Sequence, residues 1–74
     1  MAQLAGRVIK IVFRANVPYY EVNSVCSLYG PVRQENQREN SFFLYLGDGI
    51  HIDRIDRIIT KLRKNKKVRN VILM

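Results

Sequence analysis

The apolar segments of this chain fall in an order that leaves few folds open: strand, helix, two strands, helix, strand. The first segment, from Arg7 to Arg14, is rich in β-branched and aromatic residues that suit a pleated sheet. Helical spacing of apolar residues then predicts a helix from about Pro18 to Tyr29. Proline suits its first turn, and Gly30-Pro31 beyond it predicts a left-handed stop. The residues of its apolar stripe are Val22, Val25, Cys26 and Tyr29.

The second half of the chain repeats this pattern. The apolar run from Ser41 to Leu46 is typical of a central strand, and the polar stretch before it, from Arg33 to Asn40, is either a solvated strand or a mobile arm. Gly47-Asp48-Gly49 then breaks the run. Isoleucines at helical spacing predict a second helix from about His51 to Asn65, and the segment from Val68 to Met74 is predicted to be the last strand.

Two strand-helix-strand units with right-handed crossovers define an α+β fold of the ferredoxin-like type, βαββαβ, in which a four-stranded antiparallel sheet carries two helices on one face. The length of 74 residues allows one domain, spanning residues 1–74, with a modest core. Alternation along the strands decides which side chains meet the helices. These are predicted to be Ile9, Ile11, Phe13, Phe42, Leu44 and Leu46, while Val8, Lys10, Val12, Arg14, Phe43 and Tyr45 occupy the open face.

The residue types needed for catalysis or metal binding do not occur in a recognisable arrangement. The only histidine, His51, is expected to be solvated at the start of the second helix, and Cys26 to be a buried structural thiol. A zinc site needs about four nitrogen or sulfur ligands. Gly47-Asp48-Gly49 lacks both the spacing of a dinucleotide fingerprint and the lysine of a phosphate loop. The sequence therefore predicts a protein that is not an enzyme, with no catalytic residues, metal or cofactor.

Charge and hydropathy limit the location and the partners. No run of about 18 apolar residues exists, so a membrane span is not expected, and a cytoplasmic protein is the default. Thirteen basic and six acidic residues give a net charge of +7. A cluster of cations near the end of the chain suits phosphates, an anionic membrane surface or an acidic protein, although the helix dipole also favours cations there. The cluster consists of Lys61, Arg63, Lys64, Lys66, Lys67 and Arg69.

The open face of the sheet allows three interpretations. In the first interpretation, the face is a homodimer interface formed by Val8, Val12, Phe43 and Tyr45, since a small domain rarely leaves an apolar face bare. Alternatively, Phe43 and Tyr45 stack on the bases of single-stranded RNA or DNA, with Lys10, Arg14 and the cation cluster holding phosphates. In the third, an inverted register buries both aromatic rings in the core.

The chain also resembles the ACT domain. The resemblance rests on Asn16-Val17-Pro18, on Leu28-Tyr29-Gly30 and on the Val-x-x-Val step from Val68 to Val71, and it is closest to small regulatory subunits such as that of acetolactate synthase. It implies a non-catalytic regulatory or assembly module that pairs through its sheets, with a small effector near the first helix. The implied effector loop contains Ala15, Asn16, Val17 and Tyr19, where Tyr19 replaces the glycine of the family.

A weaker resemblance connects the chain with the RNA recognition motif. Val12-Phe13-Arg14-Ala15-Asn16-Val17 is similar to the first-strand signature of that family, and Phe43-Leu44-Tyr45 is similar to the aromatic pair of its third strand. This resemblance implies RNA binding on the sheet. Self-association as an assembly module is thus the first functional hypothesis, and nucleic-acid binding is the alternative.

Overall fold

A computed structural model describes residues 7–47 and 49–74. Its strands form one sheet of four in the order β2-β3-β1-β4, and neighbouring strands are antiparallel. This order, with one helix after β1 and one after β3, confirms the ferredoxin-like α+β fold. The elements are β1 (Val8–Phe13), α1 (Tyr19–Cys26), β2 (Val32–Asn36), β3 (Ser41–Tyr45), α2 (Ile52–Lys64) and β4 (Val68–Leu73).

The register of the two central strands follows the predicted alternation. Ile9 lies opposite Leu44 and Ile11 opposite Phe42, and all four side chains are buried. The inverted register is therefore wrong, because Phe43 and Tyr45 point to the other side of the sheet. The core is closed by one face of each helix. The helical residues buried against the sheet are Val22 and Cys26 of α1 and Ile55, Ile58, Ile59 and Leu62 of α2.

Helix α1 ends at Cys26, three residues before the predicted end at Tyr29. The following residues form a turn in which the Tyr29 amide donates to the Cys26 carbonyl at 2.9 Å. Gly30 does not adopt the predicted left-handed conformation. It is needed for a different reason, since a Cβ at this position would overlap the carbonyl oxygen of Tyr45. The glycine thus lets the chain after α1 pass close to β3.

The polar stretch after Pro31 forms a strand and a tight turn. Strand β2 pairs with β3 along the edge of the sheet, where charged side chains are readily solvated. In the turn, Asn36 Oδ1 accepts from the amides of Arg38 and Glu39 at 2.9 and 3.2 Å. Asn40 then adopts φ 56°, a left-handed conformation that asparagine tolerates well. The backbone of this stretch gains its order from β3 and the turn, because its side chains supply little apolar area.

Helix α2 begins after His51, whose Nδ1 accepts from the amide of Asp53 at 3.2 Å. The exposed His51 therefore acts as a helix cap. Neither α1 nor α2, the helices of the described ranges, has the length and apolar character required to cross a membrane.

Candidate functional site

The open face of the sheet gathers the residues predicted to form an interface. Tyr45 pairs with Val8, Phe43 with Lys10, and Val12 with Ser41 across the β1–β3 ladder. The side chains of Val8, Val12, Phe43 and Tyr45 are partly buried, and no element of the described residues lies over them. Ile72 of β4 pairs with Lys10 from the other side and is 41 % exposed, so it extends the apolar surface.

Ile72 was missed because strict alternation fails in β4. Val68 and Val71 are both buried although they lie three residues apart. A bulge makes this arrangement feasible: Phe13 pairs with Val68 and Val12 with Asn70, which leaves Arg69 as the extra residue. The bulge returns Val71 to the core and turns Ile72 to the open face.

The charge of Lys10, at the centre of the open face, is compensated by two carboxylates. Lys10 Nζ lies 3.4 Å from a carboxylate oxygen of Glu35 and 3.7 Å from one of Glu39. The buried hydroxyl of Ser41 donates to Glu35 at 2.5 Å. That hydrogen bond, assisted by Lys10, lowers the pKa of the Glu35 carboxyl. The cation that the nucleic-acid hypothesis places beside Phe43 is therefore already paired with two carboxylates.

Arg14, the second cation of that hypothesis, fastens the end of β1 to the loop between α2 and β4. Its Nε donates to the Lys66 carbonyl at 2.7 Å, and its amide donates to the Lys67 carbonyl at 2.9 Å. Its guanidinium thus has a structural role in holding these segments together.

In the effector loop implied by the ACT resemblance, Val17 and Tyr19 contact other parts of the fold. Val17 is buried in the core, and the ring of Tyr19 packs on Phe42 with the centroids 5.9 Å apart. The side chain of Asn40 donates to the carbonyls of Arg14 and Val17, at 2.8 and 2.9 Å. Ala15 and Asn16 are exposed in the turn between them.

Ala15 also lines a groove of about 520 Å³ on the open face of the sheet. The groove brings together Lys10 and Val12 of β1 with Arg69 and Ile72 of β4. Arg38 and Glu39 of the β2–β3 turn complete its lining with opposite charges.

The predicted cluster of six cations does not form one surface. Lys67 pairs with Glu21 of α1 at 2.8 Å, and Arg63 donates to the Val71 carbonyl at 3.2 Å. Arg69 lines the groove on the open face, whereas Lys61 and Lys64 are exposed on α2, in the helical layer. The remaining member, Lys66, is exposed in the loop before β4.

A second groove lies between α2 and the turn after α1, with a volume of about 470 Å³. Arg54, Arg57 and Lys61 line it on one side, and Leu28 and Tyr29 on the other. Arg54 and Arg57 were not among the predicted site residues, although their helical spacing from Lys61 is readable in the sequence. Asp53 and Arg57, which lie four residues apart on α2, form no ion pair among the described residues.

Cys26 is completely buried, as predicted for a structural thiol. Burial raises the pKa of the thiol to about 11, so the side chain is protonated at neutral pH. Within residues 7–47 and 49–74, no group of three or more histidine, cysteine, aspartate or glutamate side chains is placed to hold a metal ion.

Fold and surface together define a small ferredoxin-like α+β domain with an apolar patch on its open sheet face and a basic groove on its helical side. The chain matches no protein-family model, no curated protein and no solved structure.

Proposed function

We propose that this chain is a non-catalytic assembly or regulatory module that pairs with a second copy of itself through the open face of its sheet. The observation that supports the proposal is the apolar patch of Tyr45, Val8, Phe43 and Ile72 on the face that lies opposite the helices. The resemblance to ACT domains, which pair through their sheets, favours the same mode of association.

The charge of Lys10, near the middle of this face, does not oppose a contact between identical surfaces. In a twofold dimer each residue near the axis meets its own copy, so an unpaired charge there would be repelled. Lys10 lies near the middle of the sheet, and Glu35 and Glu39 compensate its charge. The aromatic pair Phe43 and Tyr45 supplies residue types that are enriched in protein interfaces, and tyrosine is also enriched among their energetically dominant contacts.

A standard interface buries about 800 Å² on each partner. The surface of the chain amounts to 5172 Å². Pairing of this size would thus cover about one sixth of each copy. The net charge of +7 on each copy opposes association, and salt screens this repulsion. The dimer is therefore expected to become tighter as the ionic strength rises.

The test is sedimentation of the purified chain over a series of concentrations, with Tyr45→Asp compared with Tyr20→Asp. Tyr20 is 72 % exposed on α1, so its variant makes the same chemical change away from the sheet. We expect the wild type and Tyr20→Asp to dimerise and Tyr45→Asp to remain a folded monomer, because a carboxylate in an apolar contact is strongly disfavoured.

A second variant, Tyr45→Thr, keeps a residue suited to a strand and removes the aromatic ring. It is expected to dimerise more weakly than the wild type. Circular dichroism establishes that each variant is folded before its mass is compared. The proposal is abandoned if the wild type is a monomer at every concentration, or if folded Tyr45→Asp sediments as the wild type does.

A further inference from the structure

Four cations form a continuous stripe on the exposed side of α2. Arg54, Arg57, Lys61 and Lys64 follow one another at intervals of three, four and three residues, so they lie on one face of the helix. All four are exposed, whereas the opposite face of the helix, with Ile55 and Leu62 among its residues, is buried. From Arg54 to Lys64 the stripe covers ten residue steps, or about 15 Å at the rise of an α-helix. We call it the basic stripe.

The helix dipole does not account for the basic stripe. It favours cations in the last turn, where Lys61 and Lys64 lie, disfavours one in the first turn, where Arg54 lies, and has little effect at Arg57 near the middle of the helix. Like charges three or four residues apart also destabilise a helix. Among the described residues, none of the four takes part in an ion pair. Repulsion within the stripe therefore lowers the stability of α2, and binding of an anionic partner would relieve that repulsion.

The groove beside the stripe adds apolar and aromatic surface. Leu28, which is 82 % exposed, and the partly buried Tyr29 line it opposite Arg54, Arg57 and Lys61. Two carboxylates border the stripe as well, Asp53 in this groove and Asp56 beside Lys61 and Lys64. Four cations against two carboxylates leave the surface positive.

We propose that the basic stripe binds the phosphate backbone of a single-stranded nucleic acid, with a base lying in the groove against Tyr29 and Leu28. Cations along a line, one in each helical turn, match a polymer that carries one charge per nucleotide. Aromatic surface next to cations is how proteins hold unpaired bases, which are accessible only in a single strand.

Other anionic partners fit this surface less well. A membrane-bound amphipathic helix inserts its apolar face among the lipids, and the apolar face of α2 is buried in the core of this protein. An acidic protein would not require the regular spacing of the stripe. The proposal is also independent of self-association, because the stripe lies in the helical layer and leaves the open sheet face free in each copy.

The experiment measures binding of a labelled single-stranded oligonucleotide of mixed sequence by fluorescence anisotropy, in RNA and in DNA form. The double variant Arg57→Gln/Lys61→Gln removes two charges from the stripe, and glutamine preserves helix propensity. The double variant Lys66→Gln/Arg69→Gln removes two charges elsewhere and serves as the control with the same net charge. All four side chains are exposed, and thermal unfolding checks that both variants are folded.

Four phosphate contacts on a single strand give a slope of about −2.8 for log K against log salt, so wild-type affinity falls about 50-fold between roughly 50 and 200 mM salt. The stripe variant, with two contacts left, should lose affinity only about 7-fold over the same range and bind more weakly at low salt. The control variant should keep the wild-type slope. The same oligonucleotide in a duplex should bind more weakly than the single strand.

Equal losses in the two double variants would overturn the proposal, since net charge alone would then explain binding. It would also be overturned if the duplex bound as tightly as the single strand, or if anionic vesicles or polyglutamate competed better than unlabelled oligonucleotide. Failure here is distinguishable from failure of self-association, because salt weakens nucleic-acid binding and strengthens the proposed dimer.

Discussion

Asn40 ties the β2–β3 turn to the segment between β1 and α1, and replacing it tests how that segment is held. Its Nδ2 group donates to the carbonyls of Arg14 and Val17, at 2.8 and 2.9 Å, and its own carbonyl accepts from the Phe13 amide at 2.9 Å. The backbone of Asn40 adopts φ 56°. A substitution therefore changes two separable quantities, the side-chain hydrogen bonds and the cost of the left-handed backbone.

Three variants separate these quantities. Asn40→Gly removes both side-chain hydrogen bonds, each worth about 1 kcal/mol net, and leaves the backbone unstrained, so a loss of about 2 kcal/mol is expected. Asn40→Ala loses the same bonds and adds about 1–2 kcal/mol for a left-handed residue with a Cβ, giving about 3–4 kcal/mol. Asn40→Asp keeps the size of the side chain but directs carboxylate oxygens at two carbonyl oxygens, so it should also be less stable than the wild type.

Urea unfolding followed by circular dichroism measures the free energy of unfolding of each variant. For a domain of this size, each kcal/mol also lowers Tm by about 4–8 °C, so thermal unfolding provides a second measure. The expected order of stability is wild type, then Asn40→Gly, then Asn40→Ala. The reasoning is refuted if Asn40→Ala is as stable as Asn40→Gly, which would remove the backbone cost. It is refuted equally if Asn40→Asp matches the wild type, which would remove the role of the amide donor.

Two further predictions concern the core. Gly30→Ala should lower the free energy of unfolding by about 1–3 kcal/mol, because the new Cβ would displace the carbonyl of Tyr45. Gly47→Ala is the control: its Cβ meets no neighbour within 4 Å, so it should have little effect in the same urea titration. Similar losses of stability in the two variants would contradict this prediction. Burial raises the pKa of Cys26 from 9.0 to about 11, so stability is fully present below pH 9 and is lost between pH 9 and 11 as the unfolded thiol ionises first. Relative to Cys26→Ala, the free energy of unfolding of the wild type should fall by roughly 1.4 kcal/mol per pH unit in this window. If the difference in unfolding free energy between the two proteins stays constant from pH 8 to 11, the thiol has the same pKa in the folded and unfolded chains and the prediction is wrong.

Much of the fold was predictable from periodicity alone. The alternation in β1 and β3 correctly assigned Ile9, Ile11 and Phe42 to the core, since each strand segment is long enough for one period of two to dominate. The isoleucines of α2 defined its buried face in the same way, and its bounds differ from the predicted ones by a single residue at each end. These features depend on residues close together in the sequence.

The end of α1 was harder to predict, for a reason that lies outside the helix. Gly30 looks like a left-handed helix stop, but its function is to let the chain pass the carbonyl of Tyr45 on β3. Residues 30 and 45 meet only after the sheet has formed. No pattern within α1 contains that information.

Local patterns of residues were sufficient to predict the order of the elements and the faces of the central strands, and the spacing of the basic stripe can be read in the same way. Which charges are compensated, and which residues share a surface, depends on contacts between segments that are distant in the chain. Strand pairing brings Lys10 beside Glu35, the cations near the end of the chain are divided between two layers, and the bulge at Arg69 turns Ile72 outward. The physical reason is that strand register and bulges are set by hydrogen bonds between distant segments, and a one-residue shift exchanges the two faces of a strand.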